Sequence, residues 1–97
     1  MDKKYLWSRY EGHIFSADHI KNGIMDLGKD RNSIFNSIIS KINGVDISKI
    51  KVGSNEIRTT INGHVVTIRF NIDENGTIKS INAFKGTSGR VVGNLIE

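Results

Sequence analysis

Residues 56–72, Glu56-Ile57-Arg58-Thr59-Thr60-Ile61-Asn62-Gly63-His64-Val65-Val66-Thr67-Ile68-Arg69-Phe70-Asn71-Ile72, decide the fold of this 97-residue chain. Apolar and polar residues alternate on both sides of Asn62-Gly63, a pair favoured in the two-residue type I′ hairpin turn because both of its positions need positive φ. A turn of that length fixes the register. Ile57 faces Ile68 and Thr59 faces Val66 on one side, while Arg58 faces Thr67 and Glu56 faces Arg69 on the other. The hairpin thus has an oily face that must be covered and a polar face that need not be.

Downstream, Asp73-Glu74-Asn75-Gly76 is a second turn. A four-residue loop there sets Ile81 beside Ile68, Ala83 beside Val66, Asn82 beside Thr67 and Ser80 beside Arg69, whereas a slip of one residue drives Ser80 and Asn82 into the core. After Phe84-Lys85, the loop Gly86-Thr87-Ser88-Gly89-Arg90 leads into Val91-Val92-Gly93-Asn94-Leu95-Ile96, which reads as a last strand. The polar face then gathers Arg58, Thr60, Thr67, Arg69, Ser80 and Asn82, with Glu56 and Phe84 at its margin.

Upstream, the period changes from two to that of a helix. Ser16 precedes Ala17–Leu27, whose apolar Ile20, Ile24 and Leu27 are spaced four and three, with Gly28 as the stop. Gly23 costs this helix ~1 kcal/mol relative to Ala. A second helix begins near Asp30 to Asn32, carries Ile34, Phe35, Ile38, Ile39 and Ile42, and ends at Gly44. The order predicts an α+β domain, two N-terminal helices packed on the oily face of a four-stranded antiparallel sheet. A single domain is expected over 1–97, with an arm at 1–11, a helical part at 12–44 and the sheet at 54–97.

Composition removes several classes of function. There is no cysteine, so there is no disulfide, thiolate zinc site or thiol nucleophile, and chemistry falls to His, Lys, Arg, Ser, Thr, Tyr, Asp and Glu. No apolar run approaches the ~18 residues of a membrane span, and no signal-peptide core follows Met1-Asp2-Lys3-Lys4, so a soluble chain is expected. A formal charge of +4 suits a polyanion or an acidic protein as partner.

Three features carry chemistry, each with a plainer alternative. The polar face is either a solvated surface with a routine Glu56–Arg69 pair or a phosphate platform, since most protein–nucleic acid hydrogen bonds go to phosphate and sugar oxygens. His13 and His19 are either a loop residue and a residue of a capped helix turn, or the two imidazoles that split an RNA phosphodiester, one taking the 2′-OH proton and the other protonating the leaving oxygen. In the second case Lys21, Arg58, Ser88 and Arg90 can neutralise the phosphoryl oxygens. The segment Lys85-Gly86-Thr87-Ser88-Gly89-Arg90 is either a Gly/Ser connection or a loop that aims hydroxyls and a guanidinium at a phosphate. His13, Asp18 and His19 are metal-ligand types, but they contain no i, i+4 pair and no third histidine, so neither a metal nor another cofactor is expected.

Gly12-His13-Ile14-Phe15-Ser16-Ala17-Asp18-His19-Ile20-Lys21-Asn22-Gly23-Ile24-Met25-Asp26-Leu27-Gly28, Gly53-Ser54-Asn55-Glu56-Ile57-Arg58-Thr59 and Phe84-Lys85-Gly86-Thr87-Ser88-Gly89-Arg90-Val91-Val92-Gly93-Asn94 resemble the C-terminal toxin domains of bacterial polymorphic and contact-dependent growth inhibition toxins. The resemblance covers roughly residues 12–97. The helix-then-sheet order is similar to the barnase, EndoU, colicin tRNase and RelE group of metal-independent ribonucleases, whose active site lies on the open sheet face. It implies an endoribonuclease, a tRNase in the first instance, that leaves 2′,3′-cyclic phosphate ends. Such a domain is delivered by a larger secreted or cell-surface toxin, acts in the target-cell cytoplasm, and is neutralised in the producer by an acidic immunity protein covering Arg58, Arg69 and Arg90. The site residues so implied are His19 and His13 as the acid–base pair, Arg58 and Arg90 on the scissile phosphate, and Thr60, Thr87 and Ser88 as hydrogen-bond donors. Lys21, Arg69, Lys85 and Asn82 would lie along the RNA backbone. The competing expectation is a module that binds RNA or protein without cutting.

Overall fold

A computed structural model of the chain describes residues 3–97. The hairpin forms as its sequence dictates. Strands β1 (Gly53–Ile61) and β2 (His64–Ile72) pair antiparallel with Ile57 opposite Ile68 and Glu56 opposite Arg69. Asn62 and Gly63 both take positive φ, 50° and 80°, as a type I′ turn requires.

The next strand, β3 (Ile78–Lys85), keeps the expected faces but not the expected neighbours. Asn82 lies opposite Arg69, Phe84 opposite Thr67, Ala83 opposite Ile68 and Ser80 opposite Asn71. The turn is one residue longer than the four expected, because the Asp73 carboxylate accepts from the backbone N–H groups of Asn75 and Thr77 and the Asp73 N–H donates to the Thr77 carbonyl. The register then shifts once more between Asn71 and Ile72, where Lys79 is the extra residue of a bulge. Two single-residue shifts restore the parity of the faces while moving every partner from Asn71 to Val66 two places. The Tyr10 hydroxyl donates to the Lys79 carbonyl at this bulge.

The helical part corrects the expected layout. Three helices replace two, and the first, α1 (Lys3–Ile14), occupies most of the supposed arm at 1–11, of which residues 1 and 2 lie outside the described residues. Leu6, Tyr10 and Ile14, spaced by four, bury one stripe of it. The expected helix over 17–27 divides at Gly23, whose φ of 98° ends α2 (Ala17–Lys21) and starts a single 3-10 turn at Ile24–Leu27. Helix α3 (Arg31–Asn43) runs as expected, capped by the Asp30 carboxylate on the Ser33 N–H. Its Ile34, Phe35, Ile38, Ile39 and Ile42 join Ile57, Val66, Ile68, Phe70, Ile81 and Ala83 in one continuous core on the oily face. Trp7 stands edge-on to Phe35 with ring centres 5.2 Å apart, closing α1 against α3.

The last strand is the largest departure from the expected antiparallel sheet. Only Asn94–Ile96 form β4, which pairs parallel with β1 at Asn55–Ile57, so the sheet is mixed and its order is β3-β2-β1-β4. A parallel partner needs a crossover, and here residues 86–93 supply it by passing from one sheet edge to the other over the polar face. At its far end Gly93 has φ 79° and lies so close to β1 that a Cβ would collide with the Ser54 carbonyl.

Candidate active site

The polar face consists of two rows across the sheet. One is Glu56–Arg69–Asn82 and the other Arg58–Thr67–Phe84. Alternation in β1, β2 and β3 puts all six side chains on the face opposite the apolar core that α3 covers.

Glu56 is the hub. It is 0% exposed, and its two carboxylate oxygens divide between the guanidinium groups, with Oε2 2.9 Å from Arg58 Nε and Oε1 2.8 Å from Arg69 Nε. Oε1 also accepts from the Val92 N–H at 3.3 Å. Burial alone pushes this carboxyl up, but the bonds from Arg69, Arg58 and Val92 outweigh it and hold Glu56 below the ordinary glutamate range. Glu56 is therefore a carboxylate at neutral pH, and the cluster of one anion and two cations keeps a surplus positive charge.

The crossover residues track these side chains in order. The Thr67 hydroxyl donates to the Gly86 carbonyl at 2.7 Å, Arg69 Nη2 donates to Ser88 Oγ at 2.7 Å, and Arg58 Nη2 donates to the Arg90 carbonyl at 3.3 Å. Ser88 in turn donates to the Arg90 carbonyl at 2.7 Å. Each arginine thus spends Nε on Glu56 and Nη2 on the crossover. Among the described residues neither Nη1 has a hydrogen-bond partner. Two guanidinium groups fixed by a common carboxylate, each with an uncommitted N–H pair, form an anion receptor that needs little reorganisation on binding.

Phe84, which the sequence set at the margin, is in the middle of this arrangement. The Arg69 guanidinium lies over its ring at 5.0 Å, and the His19 ring packs against it at 6.0 Å between centres. His19 Nδ1 is 3.0 Å from the Ile14 carbonyl. A carbonyl can only accept, so Nδ1 carries the proton and the neutral ring keeps its lone pair on Nε2. The helix cap holds this residue from the other side, because Ser16 Oγ accepts from the His19 backbone N–H.

His13, in the last turn of α1, is exposed and lines a cavity of about 270 Å³ together with Tyr10, Arg69, Asn71, Ser80 and Asn82. The two histidines therefore reach the same face by different routes, His13 through the cavity beside Arg69 and His19 through Phe84. The remaining candidates lie elsewhere or are already engaged. Thr60 lines a separate groove with Asn36, Ser37 and Lys41 of α3. Lys85 is paired with Asp26 at 2.8 Å, and its bond and charge hold the Asp26 carboxyl below its usual range. Lys21 is exposed at the end of α2, Thr87 is exposed on the crossover, and Arg90 reaches the cluster through its carbonyl. His13, Asp18 and His19 form no metal-binding group, and no cluster of that kind occurs among the described residues.

Glu56 and Phe84 are the residues the sequence undervalued. Alternation already put both on the polar face, and the two-place register difference hid that Phe84 stands in the row of Arg58 and Thr67. No helix among the described residues is long and apolar enough to cross a membrane.

No curated protein and no solved structure matches the chain. A family model does match, over residues 8–85, a span running from α1 through β3 that includes His13, His19, Glu56, Arg58, Arg69, Asn82 and Phe84. The chain is thus a bacterial toxin domain and belongs to the family described as bacterial toxin 35, Ntox35.

Proposed function

We propose that this toxin domain is an endoribonuclease, with tRNA as its first candidate substrate, that uses histidine acid–base chemistry and no metal ion. The observation that carries the proposal is the pair of guanidinium groups held side by side by the buried Glu56, with the His19 ring on the same Phe84 that Arg69 covers. Arg58 and Arg69 take the scissile phosphate on their Nη1 groups, and Thr87 adds a hydroxyl donor from the crossover, while Ser88, whose proton goes to the Arg90 carbonyl, holds Arg69 in place. His19 Nε2 removes the proton of the ribose 2′-OH, and the 2′-oxygen attacks phosphorus. The P–O5′ bond breaks, and the departing 5′-oxygen takes a proton from the imidazolium of His13. The products are a 2′,3′-cyclic phosphate and a 5′-hydroxyl end, so atoms and charge balance without a co-reactant.

Membership in a bacterial toxin family supports delivery within a larger toxin and action inside a target cell. It also supports an immunity protein in the producer. The surplus positive charge around Arg58, Arg69 and Arg90 fits an acidic one.

The test is incubation of the purified domain with total bacterial tRNA in EDTA, beside folded His13→Ala and His19→Ala proteins. Discrete fragments ending in 2′,3′-cyclic phosphate, reduced about 10²–10⁴-fold in each variant, are expected. Tight RNA binding by a folded wild type that never cuts would instead establish a binding module.

A further inference from the structure

We infer that the cavity between α1 and the crossover is a nucleobase subsite, which fixes where RNA is cut by reading the base next to the phosphate held by Arg58 and Arg69. The inference rests on the ribonuclease proposal above and adds a specificity element to it. The cavity shares Arg69 with the anion receptor, so a ligand whose phosphate sits on the arginines has its neighbouring base at the cavity mouth. Tyr10 and His13 of α1 line one part of it, and Val92 of the crossover another. Its volume of about 270 Å³ lies just below the ~300–1,000 Å³ of drug-sized sites. That suits one base and part of its ribose.

The floor has the chemistry to read a base edge. Asn82 Oδ1 accepts from the Ala83 backbone N–H at 3.0 Å. A backbone N–H only donates, so the orientation of this amide is settled and its NH₂ group remains as a donor. Among the described residues the amide of Asn71, diagonal to Asn82 on the neighbouring strand, makes one hydrogen bond, from Nδ2 to Ser54 Oγ at 3.4 Å, and keeps amide capacity to spare. The hydroxyl of Ser80, opposite Asn71 in the ladder, has no hydrogen-bond partner among the described residues. Donor and acceptor groups on adjacent strands match the alternating donors and acceptors of a nucleobase edge, whereas phosphoryl oxygens, which accept, would use the donors and leave the Asn71 carbonyl oxygen without a partner.

The experiment titrates 3′-GMP, 3′-AMP, 3′-UMP, 3′-CMP and inorganic phosphate into the wild type, Asn82→Ala and Asn82→Asp, following backbone amide resonances. Asn82→Asp retains an oxygen for the Ala83 N–H and exchanges the donor for a negative charge opposite Arg69, which weakens phosphate and nucleotide binding alike, so the preference for nucleotide over phosphate within each protein is the quantity that reports base reading. One or two of the nucleotides should bind the wild type at least roughly tenfold more tightly than phosphate and shift the resonances of Asn71, Ser80 and Asn82. Both variants should lose that preference. Four nucleotides that bind no better than phosphate, or a preference that survives in both variants, would overturn the subsite. Failure of the wild type to cleave RNA would count against the ribonuclease proposal alone, because these titrations need no cleavage.

Discussion

The two faces of the sheet are held by different physics. On the helix side, α1, α3 and the inward residues of all four strands close one apolar core in which Ile34, Ile38, Val66, Ile68 and Ala83 are fully buried. On the other side a single carboxylate, two guanidinium groups and a chain of hydrogen bonds to residues 86–92 do the holding. Apolar burial is non-directional and adds over area, so many side chains share the stability of the first face. The second face is directional and concentrated in Glu56. Its loss should change what the domain does more than whether it folds.

Substitutions can break this contrast, and the largest effect on stability should come from the helix side. Ile68→Ala removes a fully buried side chain from the centre of the core and should cost about 2–5 kcal/mol in urea unfolding with the slope unchanged. A cost under 1 kcal/mol would mean that the core is not the main source of stability. Glu56→Gln keeps the shape but withdraws the charge from two partly exposed arginines, and should cost a smaller ~1–3 kcal/mol. Its effect on RNA cleavage should be large, with both guanidinium groups losing their fixed position.

The same pair of proteins supplies a pH test. Since the folded protein holds the Glu56 carboxyl below its ordinary range, the stability this group contributes is fully present above the unfolded value of ~4.3 and disappears as pH falls through the folded value. The gap in urea midpoint between wild type and Glu56→Gln should be constant near neutrality and close in acid. Asp26, Asp30, Asp46 and Asp73 are also shifted down, but they are common to both proteins and should largely cancel in the difference. A gap that widens on acidification would contradict the sign of the shift.

Gly93→Ala should cost about 1–2 kcal/mol, since positive φ and the nearby Ser54 carbonyl both oppose a Cβ, and it should loosen the crossover at its β4 end. Hydrogen exchange at Val92 and Asn94 would report the loosening, and unchanged protection there would show that the end of the crossover is not pinned by this contact. The smallest effect belongs to Ser88→Ala. One partly exposed hydroxyl between Arg69 and Arg90 is worth ~0.5–1.5 kcal/mol. A larger loss would mean that the crossover is held mainly by Ser88 and not by Glu56.

Much of this layout was legible in the residues, and the failures share a cause. Asn62-Gly63 fixed the first register because a two-residue turn leaves no alternative, and the five apolar positions of α3 left no doubt about its buried side. The second register moved because Asp73 can cap a longer loop and because the bulge at Lys79 is stabilised by Tyr10, a residue far away in sequence. Helix α1 was obscured by its sparse stripe. Leu6, Tyr10 and Ile14 are its buried residues, and a boundary drawn at Gly12 cuts off the last of them. The parallel β4 could not be read from Val91–Ile96, since strand direction is set by where the crossover travels, and that path depends on the polar bonds it makes with Arg58, Arg69 and Glu56. For the site, alternation supplied the face and residue type supplied the arginines. The position of Phe84 under Arg69 and beside His19 required the true register.

The decisive measurement is cleavage of total bacterial tRNA in EDTA by wild type, His19→Ala and Glu56→Gln, each shown to be folded, with the fragment ends identified. A histidine ribonuclease organised by one carboxylate should yield discrete 2′,3′-cyclic phosphate fragments from the wild type and lose at least ~10²-fold in both variants. Cleavage at wild-type rates by a folded His19→Ala protein, or none by the folded wild type, would contradict it.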